Sequence, residues 1–412
     1  MKKRYNYRAY PNGAQVQHLA RTFGCARVVF NDFIHAREQA RKDGKPFAKT
    51  SDLSRLVLTE AKKTPQRAWL REVSSVALQQ SVQDADQAYK NFFNSLSGKR
   101  KGKRVGKPRA KKKTSRQAAR YTKNAGYKVT ETTHGIGFVS LPKMGKVRFA
   151  LSRPLPAEPS SVTVIKESDG TYQVSFVVEV AEASTVPVAP YESVGIDLGL
   201  TDFAAVAQSC GQRYKVANPR FLRAAERKLT QAYRAHARTQ KKSVNREKAR
   251  IRLAKAHRKV RETRKDFLNK LALDIVRDNQ TIAVETLNIS GLARTRLAKS
   301  INDAGWGMFV RTLEGKALMF DRTVIKIDQF EPTSQVCSVC GVKDGKKPLD
   351  VRIWTCQECG TVLDRDYNAA VNIIVAAGLA ETLNDCGENV RRQLAGAVIS
   401  EAVTPRTYSR AA

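Results

Sequence analysis

Val194-Gly195-Ile196-Asp197-Leu198-Gly199-Leu200 decides the fold of this chain, because it is a short apolar run that carries a single acid. A second run of the same kind is Thr281-Ile282-Ala283-Val284-Glu285-Thr286-Leu287. Apolar runs of this length are typical of buried strands, and an unpaired carboxylate in such a strand is costly. A metal ion shared by Asp197 and Glu285 accounts for both acids at once.

A third acid, Asp366, lies at the start of an apolar helix predicted over residues 369–377. Aspartate is a favoured N-cap, and that role alone explains Asp366 as well as metal binding does. Beside two acids in buried strands, metal binding is the favoured interpretation. Carboxylate oxygens suit Mg²⁺ or Mn²⁺, and two such ions can activate water and stabilise the leaving oxygen in phosphodiester hydrolysis. The three acids therefore predict a metal-dependent nuclease.

Four of the seven cysteines form two CxxC pairs separated by fifteen residues, and these four are Cys337, Cys340, Cys356 and Cys359. Two such knuckles aim four thiolates at one point, which predicts a closed, structural zinc site. The alternatives are two disulfides, which a reducing cytoplasm disfavours, and an iron–sulfur cluster, for which the spacing is less usual.

The composition points to a nucleic-acid partner. The 412 residues include 74 Lys and Arg against 38 Asp and Glu, a formal net charge of +36, and self-repulsion at that level favours binding to a polyanion. A membrane-surface protein would gather this charge on one amphipathic helix. No apolar run of about 18 residues predicts a membrane span. Residues 1–5 do not lead into a secretory signal, so a cytoplasmic location is expected. The sequence contains no GxxxxGK[ST] loop, so an NTPase motor is not expected.

The most basic segment covers residues 98–113, where ten of sixteen positions are Lys or Arg. It has no apolar residues to bury, so it is either a solvated linker or an arm that orders on a phosphate backbone. The basicity elsewhere favours the arm. Its cations are Lys99, Arg100, Lys101, Lys103, Arg104, Lys107, Arg109, Lys111, Lys112 and Lys113.

Hydrophobic periodicity divides the remainder of the chain. A strand over residues 3–10 precedes a helical module over about 11–96, which has a long helix through Leu19 and Phe33 and two more helices over roughly 51–63 and 74–96. From residue 126 the period changes to two, with a hairpin turn at Asp169-Gly170, so a small β-domain is interrupted by the helical module. Pro187 and Pro190 mark a linker. A long basic helical pair is predicted over residues 219–277.

The order of motifs resembles the TnpB family of transposon-encoded, RNA-guided nucleases, which are related to the type V CRISPR effectors. The motifs are VGIDLGL, the basic helical pair, IAVETL, INDAGWGMF, TSQVCSVCG, CQECG and DRDYNAA. The similarity extends from RAYPNGAQ near the start to about residue 378.

This resemblance implies an α/β multidomain fold. It implies a wedge-like small β-barrel from residues 1–10 and 126–190, and a helical recognition module with its basic arm at 11–125. Residues 191–378 are expected to form a RuvC-like nuclease domain of the ribonuclease H type, with a zinc ribbon at 337–359 inserted before its last helix. Residues 379–412 are expected to be a disordered tail.

The resemblance also implies a function. A guide RNA derived from the transposon end would direct cleavage of double-stranded target DNA beside a short flanking motif. Asp197, Glu285 and Asp366 match the metal-binding acids. Asp366 is preferred to Asp364 because the family places this acid two residues before the Asn of its DxNAA motif, here Asn368. The particle is expected to be a monomeric ribonucleoprotein.

Contacts to nucleic acid are implied at three polar residues and at the basic segments. Ser75, Gln79 and Thr122 match family regions that touch the flanking motif, and otherwise they are polar residues on a solvated helix and loop. The basic arm and the helical pair over residues 219–265 are expected to hold guide RNA and heteroduplex through phosphates.

Three other functions use the same features. A transposase that joins DNA strands also carries acids on a ribonuclease H fold, but the zinc ribbon and the DxNAA helix speak against it. A repressor that binds without cutting is disfavoured because all three acids are present. A guide-free, resolvase-like nuclease would need no RNA.

Overall fold

The computed structural model describes residues 2–46, 48–114, 116–132, 135–180, 188–348 and 350–379. Backbone packing divides the chain into two compact units, residues 1–182 and 183–412. Most of the predicted disordered tail, residues 380–412, and Pro187 of the predicted linker lie outside the described residues.

A seven-stranded antiparallel sheet forms the framework of the first unit. Its strands are β1 (Lys2–Tyr10), β2 (Gln117–Thr122), β3 (Lys128–Glu131), β4 (Ile136–Leu141), β5 (Gly145–Ala150), β6 (Pro159–Lys166) and β7 (Tyr172–Glu179). They are arranged in the order β2-β6-β7-β1-β5-β4-β3. The first strand therefore lies at the centre of the sheet, between strands that follow it by more than a hundred residues. Strand β2 pairs with β6. Residues 117–122 therefore belong to the sheet, although the second segment of the β-domain was expected to begin at residue 126.

Helices fill the interval between β1 and β2. They are α1 (Gly13–Lys42), α2 (Thr50–Ser54) and α3 (Ser75–Leu96). A π-helical segment at Arg55–Glu60 and a 3-10 turn at Ala61–Lys63 continue α2. Two further 3-10 turns lie at Ala68–Glu72 and Lys123–Ala125. Helix α1 begins with a reciprocal cap, in which the Gln15 amide N–H donates to Asn12 Oδ1 and the Asn12 N–H donates to Gln15 Oε1.

The basic segment is partly docked on α1. The Lys111 backbone N–H donates to Asn31 Oδ1 at 2.7 Å, and Asn31 Nδ2 donates back to the Lys111 carbonyl at 3.0 Å. The Lys107 ammonium pairs with Glu38 at 2.9 Å. The first half of the segment, by contrast, presents exposed cations from Lys99 to Arg104. The second half of the segment is therefore held on α1 by its own contacts, and ordering of the arm on a phosphate backbone stays a prediction.

A mixed five-stranded sheet forms the framework of the second unit. Its strands are β8 (Tyr191–Leu198), β9 (Asp202–Gln208), β10 (Arg213–Ala217), β11 (Asn279–Glu285) and β12 (Thr323–Ile327). In the order β10-β9-β8-β11-β12, the first three are antiparallel neighbours, whereas β8, β11 and β12 are parallel. A hairpin of β13 (Ile353–Thr355) and β14 (Val362–Asp364) stands apart from this sheet.

The helices of the second unit lie between and after these strands. They are α4 (Phe221–Ala237), α5 (Val244–Asp278), α6 (Ile289–Leu292), α7 (Ala298–Ala304), α8 (Trp306–Ala317) and α9 (Arg365–Ala376). Within the described ranges, a helix with both the length and the apolar character needed to cross a membrane is not found.

Alternation along β8 separates the two faces of this sheet. Val194, Ile196 and Leu198 join the main apolar core with α5 and α8, so Gly195 and Asp197 point to the opposite face. Helix α9 covers that face, and a Cβ on Gly195 would lie 2.0 Å from the Ala370 carbonyl oxygen. Glycine is therefore what allows α9 to approach the strand that carries Asp197.

Candidate functional site

Asp197 and Glu285 lie on neighbouring strands at the same level. Strand β8 pairs in parallel with β11 in a register that sets Ile196 opposite Val284, and the next residue on each strand is an acid. Neighbouring strands are about 4.8 Å apart. Ala283, two residues before Glu285, packs with Ile373 of α9, so both acids point toward the α9 face. Register and alternation together bring two carboxylates to one place.

The first turn of α9 brings Asp366 to the same face. The N-cap of this helix is Asp364, whose Oδ1 accepts from the backbone N–H groups of Asp366 and Tyr367, both at 3.0 Å. The capping role considered for Asp366 therefore belongs to its neighbour. The Asp366 carboxylate remains available for other partners.

The three acids interact electrostatically. Burial and the negative charges of Glu285 and Asp366 raise the pKa of Asp197 to about 8, although Arg365 and Arg352 act in the opposite direction. A carboxyl group held close to two others resists losing its proton unless a cation is added. The site is therefore suited to a divalent ion in its charge as well as in its oxygen donors.

Two protein cations already contact Asp366. Its carboxylate lies 3.3 Å from Lys215 Nζ and 3.1 Å from Arg352 Nη1. Lys215 also pairs with Asp364 at 2.8 Å. Burial lowers the pKa of Lys215, but Asp364 and Asp366 outweigh that effect and raise it. Arg352 Nη2 also donates to the Thr201 hydroxyl at 3.0 Å. Neither cation can be identified from the sequence, since nothing local distinguishes it among 74 Lys and Arg.

A buried hydrogen-bond network orients Glu285. The Thr333 hydroxyl donates to Glu285 Oε1 at 2.7 Å, while the Thr333 carbonyl accepts from Asn372 at 2.7 Å and from Asn368 at 3.3 Å. Asn368 Oδ1 in turn accepts the Ser338 backbone N–H at 2.8 Å. Asn368 and Asn372 thus connect α9, which carries Asp366, to the loop that contains Thr333 and to the first cysteine knuckle.

The four cysteines converge as the spacing predicted. The Sγ atoms of Cys337 and Cys359 are 3.7 Å apart, as are those of Cys340 and Cys356, and all four lie within 4.8 Å of one another. Four thiolates at about 2.3 Å from one zinc ion would be separated by about 3.8 Å. The separations are too long for disulfides, so the set fits a tetrahedral zinc ion.

The two knuckles have the same backbone geometry. In the first, the Gly341 N–H donates to the Cys337 carbonyl at 2.9 Å; in the second, the Gly360 N–H donates to the Cys356 carbonyl at the same distance. Gly341 has φ +75° and Gly360 has φ +68°. Each knuckle thus closes on a residue in the left-handed region, which explains the glycine after the second cysteine of each pair.

The acids are spaced more widely than the thiols. Within the described part of the chain, the cysteine set is the one group of at least three His, Cys, Asp or Glu whose ligand atoms all lie within 4.8 Å of one another. Repulsion between ionised carboxylates, and the attraction of Asp366 to Lys215 and Arg352, both favour a wider spacing. Ions about 4 Å apart also need ligands spread over more than one coordination sphere.

The polar residues expected to contact DNA belong to the first unit. Ser75 and Gln79 lie one turn apart at the start of α3, both exposed, and Thr122 is the last residue of β2. Lys62 Nζ donates to the Ser75 hydroxyl at 2.8 Å. These positions leave the first two side chains accessible on one side of α3.

Comparison with known proteins defines the family. A profile described as "Probable transposase" (OrfB_IS605) matches residues 175–296, one described as "Cas12f1-like, TNB domain" matches 306–373, and one described as "Helix-turn-helix domain" matches 1–46. The last region is here a strand followed by one long helix. A Streptomyces pristinaespiralis protein named "Putative RNA-guided DNA endonuclease" is 40% identical over 397 residues, covering 95% of this chain and 93% of its own. The Escherichia coli K12 protein "Putative RNA-guided DNA endonuclease InsQ" is 30% identical, covering 94% of each.

Solved structures agree on the fold. Cas12f1, in a complex with guide RNA and target DNA, matches with a TM-score of 0.56 at 15% identity, over 87% of this chain and 82% of that one. The RNA-guided endonuclease Cas_phi3 matches with a TM-score of 0.51 at 10% identity, over 92% of each chain. The chain is thus an α/β multidomain protein of the fold class of Cas12 effectors. Within that class, its sequence relatives establish that it belongs to the TnpB family.

Proposed function

We propose that this chain is an RNA-guided DNA endonuclease that hydrolyses phosphodiester bonds of target DNA beside a short flanking motif. The observation that carries the proposal is the convergence of Asp197, Glu285 and Asp366 on one face of the five-stranded sheet. The names of two relatives that align with 95% and 94% of the chain support it. The strand order β10-β9-β8-β11-β12 supports a RuvC-like, ribonuclease H-type domain over residues 191–378. The seven-stranded sheet supports a wedge-like β-domain in the first unit.

The three acids would hold Mg²⁺ or Mn²⁺, and the four cysteines would hold zinc. Bound between the acids, the divalent ions would supply water activation and stabilisation of the leaving oxygen. Without them, Lys215 and Arg352 partly neutralise Asp366, and Asp197 keeps its proton up to about pH 8 because its pKa is raised. The Thr333 hydroxyl fixes the orientation of Glu285. The Glu285 carboxylate therefore would not need to reorient when the metal ions bind.

Guide RNA and target DNA would be held mostly through phosphates. Positive charge is supplied by the exposed cations from Lys99 to Arg104 and by the exposed faces of α4 and α5. In these segments Lys and Arg outnumber Asp and Glu, so the charge is not neutralised within the protein. Such contacts position a duplex without reading its sequence. We assign reading of the flanking motif to Ser75, Gln79 and Thr122, and we propose that the particle is one protein chain with one RNA.

The proposal is tested with the full chain purified together with its RNA. Sequencing of the bound RNA gives the guide, and a plasmid library with a matching target and randomised flanks gives the motif. We expect Mg²⁺-dependent linearisation only of plasmids that match the guide. Asp197→Ala, Glu285→Ala and Asp366→Ala should each abolish cleavage while retaining RNA and target binding. Asp266→Asn is the matched control, since this exposed acid on α5 pairs with Lys270.

Other outcomes would assign other functions. Cleavage by RNA-free protein would indicate a guide-free, resolvase-like nuclease. Joined DNA strands would indicate a transposase. Tight binding to guide-matched DNA without cleavage by the wild-type complex would indicate a repressor.

A further inference from the structure

We propose that Phe330 stacks against an unpaired base of the DNA strand that is cut. This inference rests on the nuclease function proposed for the same site and adds a contact to the substrate base. Phe330 is 81% exposed, whereas an aromatic ring of this size is ordinarily buried for the free energy that burial provides. It lies in the loop that joins β12 to the first cysteine knuckle.

The loop holds Phe330 close to the acids. Ile327, three residues before it, is the register partner of Glu285, and Thr333, three residues after it, donates to the Glu285 carboxylate at 2.7 Å. Three residues span at most about 11 Å. The spacing of about 4.8 Å between β12 and β11 and the length of the side chain, about 5 Å, bring the upper limit to roughly 20 Å between the ring and Glu285. Stacked nucleotides rise about 3.4 Å each, so the ring is within about six nucleotides of the phosphate at the acids.

The loop is fixed by its own hydrogen bonds. The Phe330 backbone N–H donates to Asp328 Oδ1 at 2.8 Å, and the Thr333 N–H donates to the Glu331 carbonyl at 2.9 Å. These bonds set the backbone on both sides of the exposed ring. A rigid aromatic platform loses little conformational entropy when a base stacks on it.

The charges beside the ring favour a base over a phosphate. Asp328 and Glu331 flank Phe330 and are both exposed. Their carboxylates repel a phosphate, but they can accept hydrogen bonds from the exocyclic amino groups of a base. The π-face of a base is uncharged whatever its identity, so the stacking itself does not select a sequence.

The first test compares the wild-type complex with Phe330→Ala and Phe330→Trp. Stacking is worth enough that the alanine variant should cut target DNA at subsaturating concentration about 5- to 100-fold more slowly, whereas the tryptophan variant should cut at a rate close to wild type. Leu318→Ala is the matched control, because Leu318 is 71% exposed in the same unit and should leave the rate unchanged. Melting temperatures should not differ, because the ring is exposed. An unchanged rate for Phe330→Ala would overturn the inference.

The second test locates the base. In an Asp197→Ala background, target DNA with a single abasic site is scanned over about six nucleotides on each side of the cut. One abasic position should weaken binding to the Phe330-containing complex and have no further effect when Phe330 is also alanine. Additive losses at every position would refute stacking of the ring on a base. A wild-type complex that cuts no DNA would refute the proposed function itself, a result distinct from a wild type that cuts alongside an unaffected Phe330→Ala.

Discussion

Replacing Asp197 by asparagine should stabilise the protein in magnesium-free buffer at pH 8 while abolishing cleavage. Asparagine has nearly the same shape but cannot ionise. The folded state raises the pKa of Asp197 to about 8, whereas an unfolded aspartate has a pKa of about 3.9. The folded state therefore binds this proton more tightly than the unfolded state does. The free energy of unfolding must then fall as pH rises from about 4 to about 8.

The size of the effect follows from that difference. Each pH unit within the window costs at most about 1.4 kcal/mol, so three units, from pH 5 to pH 8, cost at most about 4 kcal/mol. Asp197 keeps some contact with solvent, and we expect about half of this. The stability of Asp197→Asn relative to wild type should thus rise by about 2 kcal/mol between pH 5 and pH 8.

Urea unfolding at several pH values measures this difference. The buffer omits magnesium but contains no chelator, because a chelator would also remove zinc. Asp266→Asn is again the control and should follow the wild type. Adding Mg²⁺ at pH 8 should stabilise the wild type more than Asp197→Asn. If the free energies of unfolding of wild type and variant changed in parallel from pH 5 to pH 8, the pKa of Asp197 would not be raised in the folded state, and the reasoning would be refuted.

Three further variants test how the site is built. Gly195→Ala should destabilise the fold by about 1–3 kcal/mol and reduce cleavage, as measured by urea unfolding and plasmid linearisation, because its Cβ would lie 2.0 Å from the Ala370 carbonyl oxygen; wild-type stability would refute the close packing of α9. Thr333→Val removes the hydroxyl that donates to Glu285 and should raise the Mg²⁺ concentration for half-maximal cleavage about tenfold, with zinc content unchanged; an unchanged magnesium titration would contradict that role. Cys356→Ser should lower bound zinc, measured by elemental analysis, and also lower cleavage, although every acid is intact; full cleavage without zinc would show that the knuckles do not support α9.

The parts that sequence analysis predicted are those with local signals. The apolar runs around Asp197 and Glu285 are strands, because burial on both faces leaves a continuous apolar pattern. The cysteine spacing predicted the cluster because each CxxC turn is determined by its own few residues. The resemblance to the TnpB family was confirmed by full-length relatives.

The parts that were missed depend on tertiary contacts. Sequence periodicity groups Tyr233 with Leu222 and Leu229 on one stripe of α4, yet Tyr233 is 52% exposed, and its hydroxyl forms a hydrogen bond with His257 of α5 at 3.0 Å. Lys215 and Arg352 meet Asp366 from elements far away in sequence, and no periodicity distinguishes them from other cations. The roles of Asp197, Glu285 and Asp366 stay predictions that the variants above test.

The position of α9 in the chain has a consequence for biosynthesis. Asp197 and Glu285 leave the ribosome long before Asp366, and the knuckles that support α9 also precede it. A nascent chain therefore presents its basic arm and helical pair to RNA before its third acid has been made. On the proposed function, a premature stop before residue 366 would yield a polypeptide that keeps the basic arm and the helical pair but lacks an acid that cleavage requires.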